Sequence, residues 1–168
     1  MKVLLILACG VVGFVIAVGV AGLFLPATRS TTGTREIAAP AGRVWTLLTD
    51  FRAQPSWRQE IATVEVLDSE PGRERWIERP RRGPAIHFRT ERQQAPFEWI
   101  VAFDGPATGQ WTGRLEELPD GRVRVQVKEV ATVSNPWMRV LARLAFDPQA
   151  FVDRYLADLA RAAERESP

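Results

Sequence analysis

The amino-terminal stretch of this chain has no place on a water-facing surface: between Val3 and Leu25 there is no charged residue and scarcely a polar one. At about 1.5 Å rise per residue, a helix of that length covers a hydrocarbon core of roughly 30 Å. Residues 1–25 are therefore expected to form one transmembrane helix. A secretory signal is the competing reading, but its apolar part normally runs only about 7 to 15 residues. Small residues between Ala17 and Ala21 loosely suit a cleavage site, and Cys9, after Ile6, Leu7 and Ala8, loosely suits lipid attachment with few apolar residues ahead of it. Gly10, Gly13, Ala17 and Ala21 share one side of the helix at spacings of three and four, a pattern of close-packed membrane pairs. Lys2 and the amino terminus flank one end, while Arg29, Arg35 and Arg43 follow the other. That balance leans towards a cytoplasmic domain by a charge or two.

The remainder, from Pro26 onward, is long enough for one domain with its own core. With 22 basic and 20 acidic residues, the whole chain's net charge of +2 describes no strongly cationic face, so nucleic acid is not an expected partner. The single cysteine, Cys9, lies inside the apolar run, which excludes an intramolecular disulfide framework and a thiolate metal site. Nucleophile elbows, phosphate-cradling glycine loops, HExxH spacing and paired redox cysteines do not occur. Catalysis is not the default, and no cofactor or metal is expected.

Between Pro26 and Thr34 the composition turns to Thr, Ser, Gly and Arg, which reads as a linker, residues 26–34. Arg35 to Ala38 then suits a short strand, and Val44, Leu47, Leu48 and Phe51 after Pro40 fall at helical spacing. A shorter helical turn or loop is expected from Pro55 to Glu60. The period then changes to that of an antiparallel meander, with strands expected over Ile61–Leu67, Glu74–Glu78, Ala85–Glu91, Phe97–Phe103, Gln110–Leu118 and Arg122–Val133. Turn residues separate them at Pro71-Gly72, Arg82-Gly83-Pro84, Ala95-Pro96, Gly105-Pro106 and Pro119-Asp120-Gly121. Two helices should close the domain, opened by Asn135-Pro136 and Asp147-Pro148. In the second, Phe151, Val152, Tyr155, Leu156 and Leu159 share a face, with Asp153, Arg154, Asp158 and Arg161 away from it. The apolar side of the sheet is the surface available to that face.

Several of these stretches resemble a known family. Glu36-Ile37-Ala38-Ala39-Pro40 leading into Val44-Trp45, then Leu48-Thr49-Asp50-Phe51, Pro55-Ser56-Trp57 and Val64-Glu65-Val66-Leu67, are similar to the opening of the START-like (SRPBCC) superfamily, in its polyketide cyclase/dehydrase branch. Gly109 to Trp111 and Val125 to Glu129 are similar to its later strands. The resemblance covers roughly residues 34 to 163 and implies an α+β helix-grip fold over residues 35–165: an antiparallel sheet wrapped round a long carboxyl-terminal helix. It also implies a deep, largely apolar cavity for a lipid, polyketide or other hydrophobic small molecule. No catalytic set shared by the family can be carried across, and the membrane segment is a departure from a freely diffusing carrier.

Trp57, Trp76, Trp99, Trp111 and Trp137 fall on the expected sheet or its lids, where aromatic rings either line a pocket or fill the core. Tyr155 joins them from the last helix. Glu129 continues the apolar parity of Val123, Val125 and Val127, and an inward carboxylate needs a partner or a wet cavity. His87, the one histidine, alternates with Ile86 and Phe88 and so belongs on the opposite, exposed face. The arginines from Arg73 to Arg92 read as a solvated strand face, with contact to anionic head groups as the alternative. Three functions follow: membrane-anchored binding of a hydrophobic molecule, a cyclase or aromatase using Glu129, His87 or Tyr155 as acid/base groups, or an interaction domain with a filled interior.

Overall fold

The computed structural model describes residues 2–94 and 98–165, with only the backbone of residues 3–9. Helix α1, Lys2–Phe24, is continuous over 23 residues. Among the described residues no helix is long and apolar enough to cross a membrane. The side chains at 3–9 fall outside that count.

Seven strands form one antiparallel sheet: β1 (Thr28–Ile37), β2 (Ile61–Asp68), β3 (Arg75–Pro80), β4 (Ile86–Gln94), β5 (Glu98–Asp104), β6 (Thr108–Glu117) and β7 (Val123–Thr132). Their order is β1-β7-β6-β5-β4-β3-β2, so β2 to β7 are the expected meander and β5 is its centre. The Ala95-Pro96 turn and Phe97 lie outside the described residues.

The expected linker is corrected. Residues 28–34 belong to β1, which pairs with β7 along its whole length from Thr28↔Thr132 to Ile37↔Val123. Threonine is a good strand residue, and on an edge strand its exposed alternate positions need no apolar side chain. Only Leu25, Pro26 and Ala27 separate the first helix from the sheet. Gly33 answers a packing demand: a Cβ there would stand 2.4 Å from a Val152 methyl and 2.8 Å from one of Leu156.

Helix α2 (Ala41–Thr49) leads through a tight turn at Phe51–Ala53 into the short α3 (Gln54–Trp57), and α4 (Pro136–Ala145) and α5 (Pro148–Glu164) follow β7. Asn135 caps α4 by accepting from the amides of Trp137 and Met138, and Asp147 caps α5 by accepting from Gln149 and Ala150. Both signals were readable in the sequence. The far half of α5, through Leu156, Leu159 and Ala163, packs with Val44 and Leu48 of α2 and with Val123 and Val125 of β7 into a solid core. Asp158, expected in solvent, is 5% exposed. It accepts from the Gln59 amide at 3.0 Å and pairs with Arg161. At the other end the sheet and α5 stand apart.

Candidate ligand cavity

That separation leaves a cavity of about 480 Å³ between the sheet, α4 and the first turns of α5. Antiparallel register builds its floor. Trp76, Phe88, Phe103, Gly109, Ala131 and Arg29 are successive partners across β3, β4, β5, β6, β7 and β1, so they form one row on the concave side. Val101, Trp111, Glu129 and Thr31 form the next row by the same pairing. Gly109 keeps its row open, because a Cβ there would strike the Val130 carbonyl at 2.1 Å and the Phe103 ring at 2.6 Å.

Aromatic rings supply most of the wall. Trp76 is sandwiched between Phe51, at 3.8 Å and 11°, and Phe88, at 5.2 Å and 7°. Trp111 meets Tyr155 edge-on at 5.0 Å. Of the residues singled out from the sequence, Trp76, Trp99, Trp111, Glu129 and Tyr155 line the cavity. Trp57 does not. It is buried behind the wall, its ring centre 5.7 Å from that of Tyr155. Trp137 is corrected more strongly: it is 45% exposed and its indole N–H donates to the Val15 carbonyl of α1 at 3.0 Å, outside the cavity. His87 is exposed, paired with Asp104 across β4 and β5.

Sequence reasoning missed the polar end of the cavity. Arg58 is 7% exposed, yet its guanidinium donates to Gln54 Oε1 at 2.6 Å, Glu60 Oε1 at 2.8 Å and Glu78 Oε1 at 2.9 Å. Trp76 donates its indole N–H to the same Glu78 oxygen at 3.2 Å. Burial works against the charge on Arg58, but Glu78 and Glu60 beside it hold the guanidinium above its ordinary pKa. The group stays charged and lies over the Tyr155 ring, 5.3 Å from its centre. Glu78 was findable, since it shares strand parity with Trp76; nothing in the local pattern marks Arg58.

Three polar groups on the wall stand apart from that network. The Tyr155 hydroxyl and the Trp99 indole N–H are buried with no hydrogen-bond partner among the described residues. Burial pushes the Tyr155 phenol well above its usual pKa against the pull of Arg58, so it remains a donor at ordinary pH. Glu129 has neither ion pair nor side-chain hydrogen bond among the described residues, and burial raises its carboxyl above the usual range. A buried unpartnered donor costs about 1–3 kcal/mol, which an oxygen-bearing guest would relieve. No group of three His, Cys, Asp or Glu side chains among the described residues is placed to hold a metal.

An antiparallel sheet gripping a carboxyl-terminal helix, hollow at one end, defines a START-like helix-grip protein. Similar folds include a START superfamily protein from Mycobacterium smegmatis (18% identity, TM-score 0.62, covering 80% of this chain and 97% of that one). The Zhui aromatase/cyclase from Streptomyces sp. R1128 is similar at 17% identity and TM-score 0.62, over 80% and 93% of the two chains. The di-domain aromatase/cyclase BexL of the BE-7585A biosynthetic pathway is similar at 13% identity and TM-score 0.68, over 88% of this chain; the match spans 53% of BexL, about half its length. No curated protein matches the sequence. The family described as polyketide cyclase / dehydrase and lipid transport matches residues 28–164, and the chain belongs to it.

Proposed function

We propose that this protein is a membrane-anchored binding module that holds a hydrophobic small molecule or lipid in the cavity between sheet and α5. The observation that carries the reading is a cavity of about 480 Å³ with an aromatic wall and two buried, unpartnered donors, Tyr155 and Trp99. Sites for small molecules are commonly about 300–1,000 Å³, mostly apolar, with a few placed polar groups. A guest with an apolar body and one oxygen function suits both parts of this wall. The hollow interior weighs against an interaction domain with a filled core.

Anchoring is supported by the uncharged run Val3–Leu25, all but its last residue lying in the 23-residue helix α1. The unit 1–25 then acts as the anchor, with the ligand-binding domain beginning at β1 rather than beyond a linker. A domain on the cytoplasmic side fits the count of Arg29, Arg35 and Arg43 against Lys2.

The test is to purify the full chain, extract it with organic solvent and identify the extract by mass spectrometry. A stoichiometric apolar compound bearing oxygen is the expected result. A chain that yields nothing and binds no apolar dye would overturn the reading.

A second reading, a cyclase or aromatase acting on a polyketide-like substrate, is favoured by Glu129 alone: a carboxyl on the cavity wall whose burial raises its pKa, with no protein partner among the described residues to compete with a substrate for its proton. Glu129→Gln that preserves binding but abolishes turnover of a candidate substrate would establish it. His87, on the exposed side of β4, takes no part in either reading.

A further inference from the structure

Helix α4 has the composition of a buried helix and none of its burial. Trp137, Met138, Leu141 and Leu144, with Phe146 just past its end, are 40–81% exposed, and no residue of α4 is buried. Contiguous apolar surface of this kind marks a docking face. Its charges are Arg139 and Arg143, with no acid between Pro136 and Ala145. Arg143 has no ion pair among the described residues.

The position of α4 narrows the partner to one. It packs on α1. Besides the Trp137 bond to Val15, the indole lies 2.7 Å from where a Cβ on Gly19 would be, and the Pro136 carbonyl 2.1 Å from one on Gly22. Side chains at those two positions would hold the helices apart. Arg139 reaches the carbonyls of Gly22 and Leu25, which terminate α1. The contact thus runs from Val15 to the end of α1, about 14 Å at 1.5 Å per residue. That is roughly half of a 30 Å hydrocarbon core. An element fixed beside that half of α1 shares its surroundings.

We propose that α4 is a second membrane element, lodged in the leaflet next to the domain. Trp137, Leu141 and Leu144 lie among acyl chains, and Arg143 pairs with lipid phosphate. The proposal rests on α1 being the anchor, as read above, and adds a route. Met138, Arg139, Ala142 and Arg143 of α4, with Phe146 just past its end, line the cavity, so that Arg143 stands at its edge. Its mouth therefore opens onto lipid, and an apolar guest passes between bilayer and cavity without crossing water. Tryptophan and arginine on an otherwise apolar helix are the residues expected where acyl chains meet head groups.

The test uses the full chain with Cys9→Ser, reconstituted into phosphatidylcholine–phosphatidylglycerol vesicles. An environment-sensitive fluorophore is carried on Leu144→Cys, on Val12→Cys in α1, or on Lys128→Cys on the exposed side of β7. With brominated acyl chains, emission at positions 144 and 12 should fall while that at 128 holds. Quenching at 12 but not at 144 would overturn the docking of α4 and leave the anchor standing. Quenching at 144 but not at 12 would remove the anchor and keep α4 in the bilayer; no quenching at either position would remove both. Leu144 is 81% exposed, so its replacement leaves the packing of the domain intact.

Discussion

Tyr155 is where binding and stability part company. Its hydroxyl is buried without a partner, so Tyr155→Phe should cost the empty protein little or even stabilise it, as read by thermal unfolding. The same change should weaken 2-naphthol by about 1 kcal/mol, roughly fivefold, and leave naphthalene unaffected in fluorescence titrations. Equal losses for both probes would remove the hydroxyl from ligand recognition. Arg58→Met should behave in the opposite sense, costing about 3–5 kcal/mol by stranding Glu78 in the interior without its counter-charge. Glu129 carries a pH dependence whose sign follows from its raised folded pKa. The folded state holds the proton more tightly than the unfolded chain, so the contribution of Glu129 to stability is full below the ordinary value of 4.5 and is lost as pH climbs through the raised value. Denaturant titrations across that window should show the decline in the native protein and lose most of it in Glu129→Gln.

Elements were legible in the sequence to the extent that local chemistry decided them. The caps at Asn135 and Asp147 each satisfy two amides, and both were visible as Asn-Pro and Asp-Pro pairs. Asp147→Ala should cost about 1 kcal/mol, measured by chemical denaturation. The strands β2 to β7 followed from alternation and turn residues. Of β1 only the end, from Arg35, did, because the threonines, serine and glycine before it resemble a linker until β7 is known to lie beside them. Gly33 shows the same limit. Its lack of a side chain admits Val152 and Leu156, a long-range demand invisible in a local window, and Gly33→Ala should cost about 1–3 kcal/mol by overpacking. Of the site, the aromatic wall and Glu129 were readable from strand parity. Arg58 was not, since its partners Gln54, Glu60 and Glu78 come from separate parts of the chain and converge only in the fold. Trp137 misled because richness in tryptophan says nothing about which side of a helix faces a cavity.

For the whole molecule, the division between a packed half and a hollow half sets what can be altered. The core of α2, β7 and the far turns of α5 supports the fold, whereas the cavity end carries polar groups held in unfavourable surroundings, as binding sites do when stability is given up for recognition. Outside, three arginines of β3 and β4 are matched by acids: Arg79 with Glu65, Arg89 with Glu91, Arg92 with Glu98. Such exposed pairs contribute little each.

The junction between Phe24 and Thr28 has a mechanical consequence. Three residues can stretch to about 10 Å at most, and one of them is proline, so the domain has no leash on which to roam. It must pivot in place at the foot of α1. With α1 seated in the bilayer as proposed above, a shuttle between two separated compartments is closed to such a molecule, and a guest of the proposed kind is collected and handed over within arm's length of a single sheet of lipid.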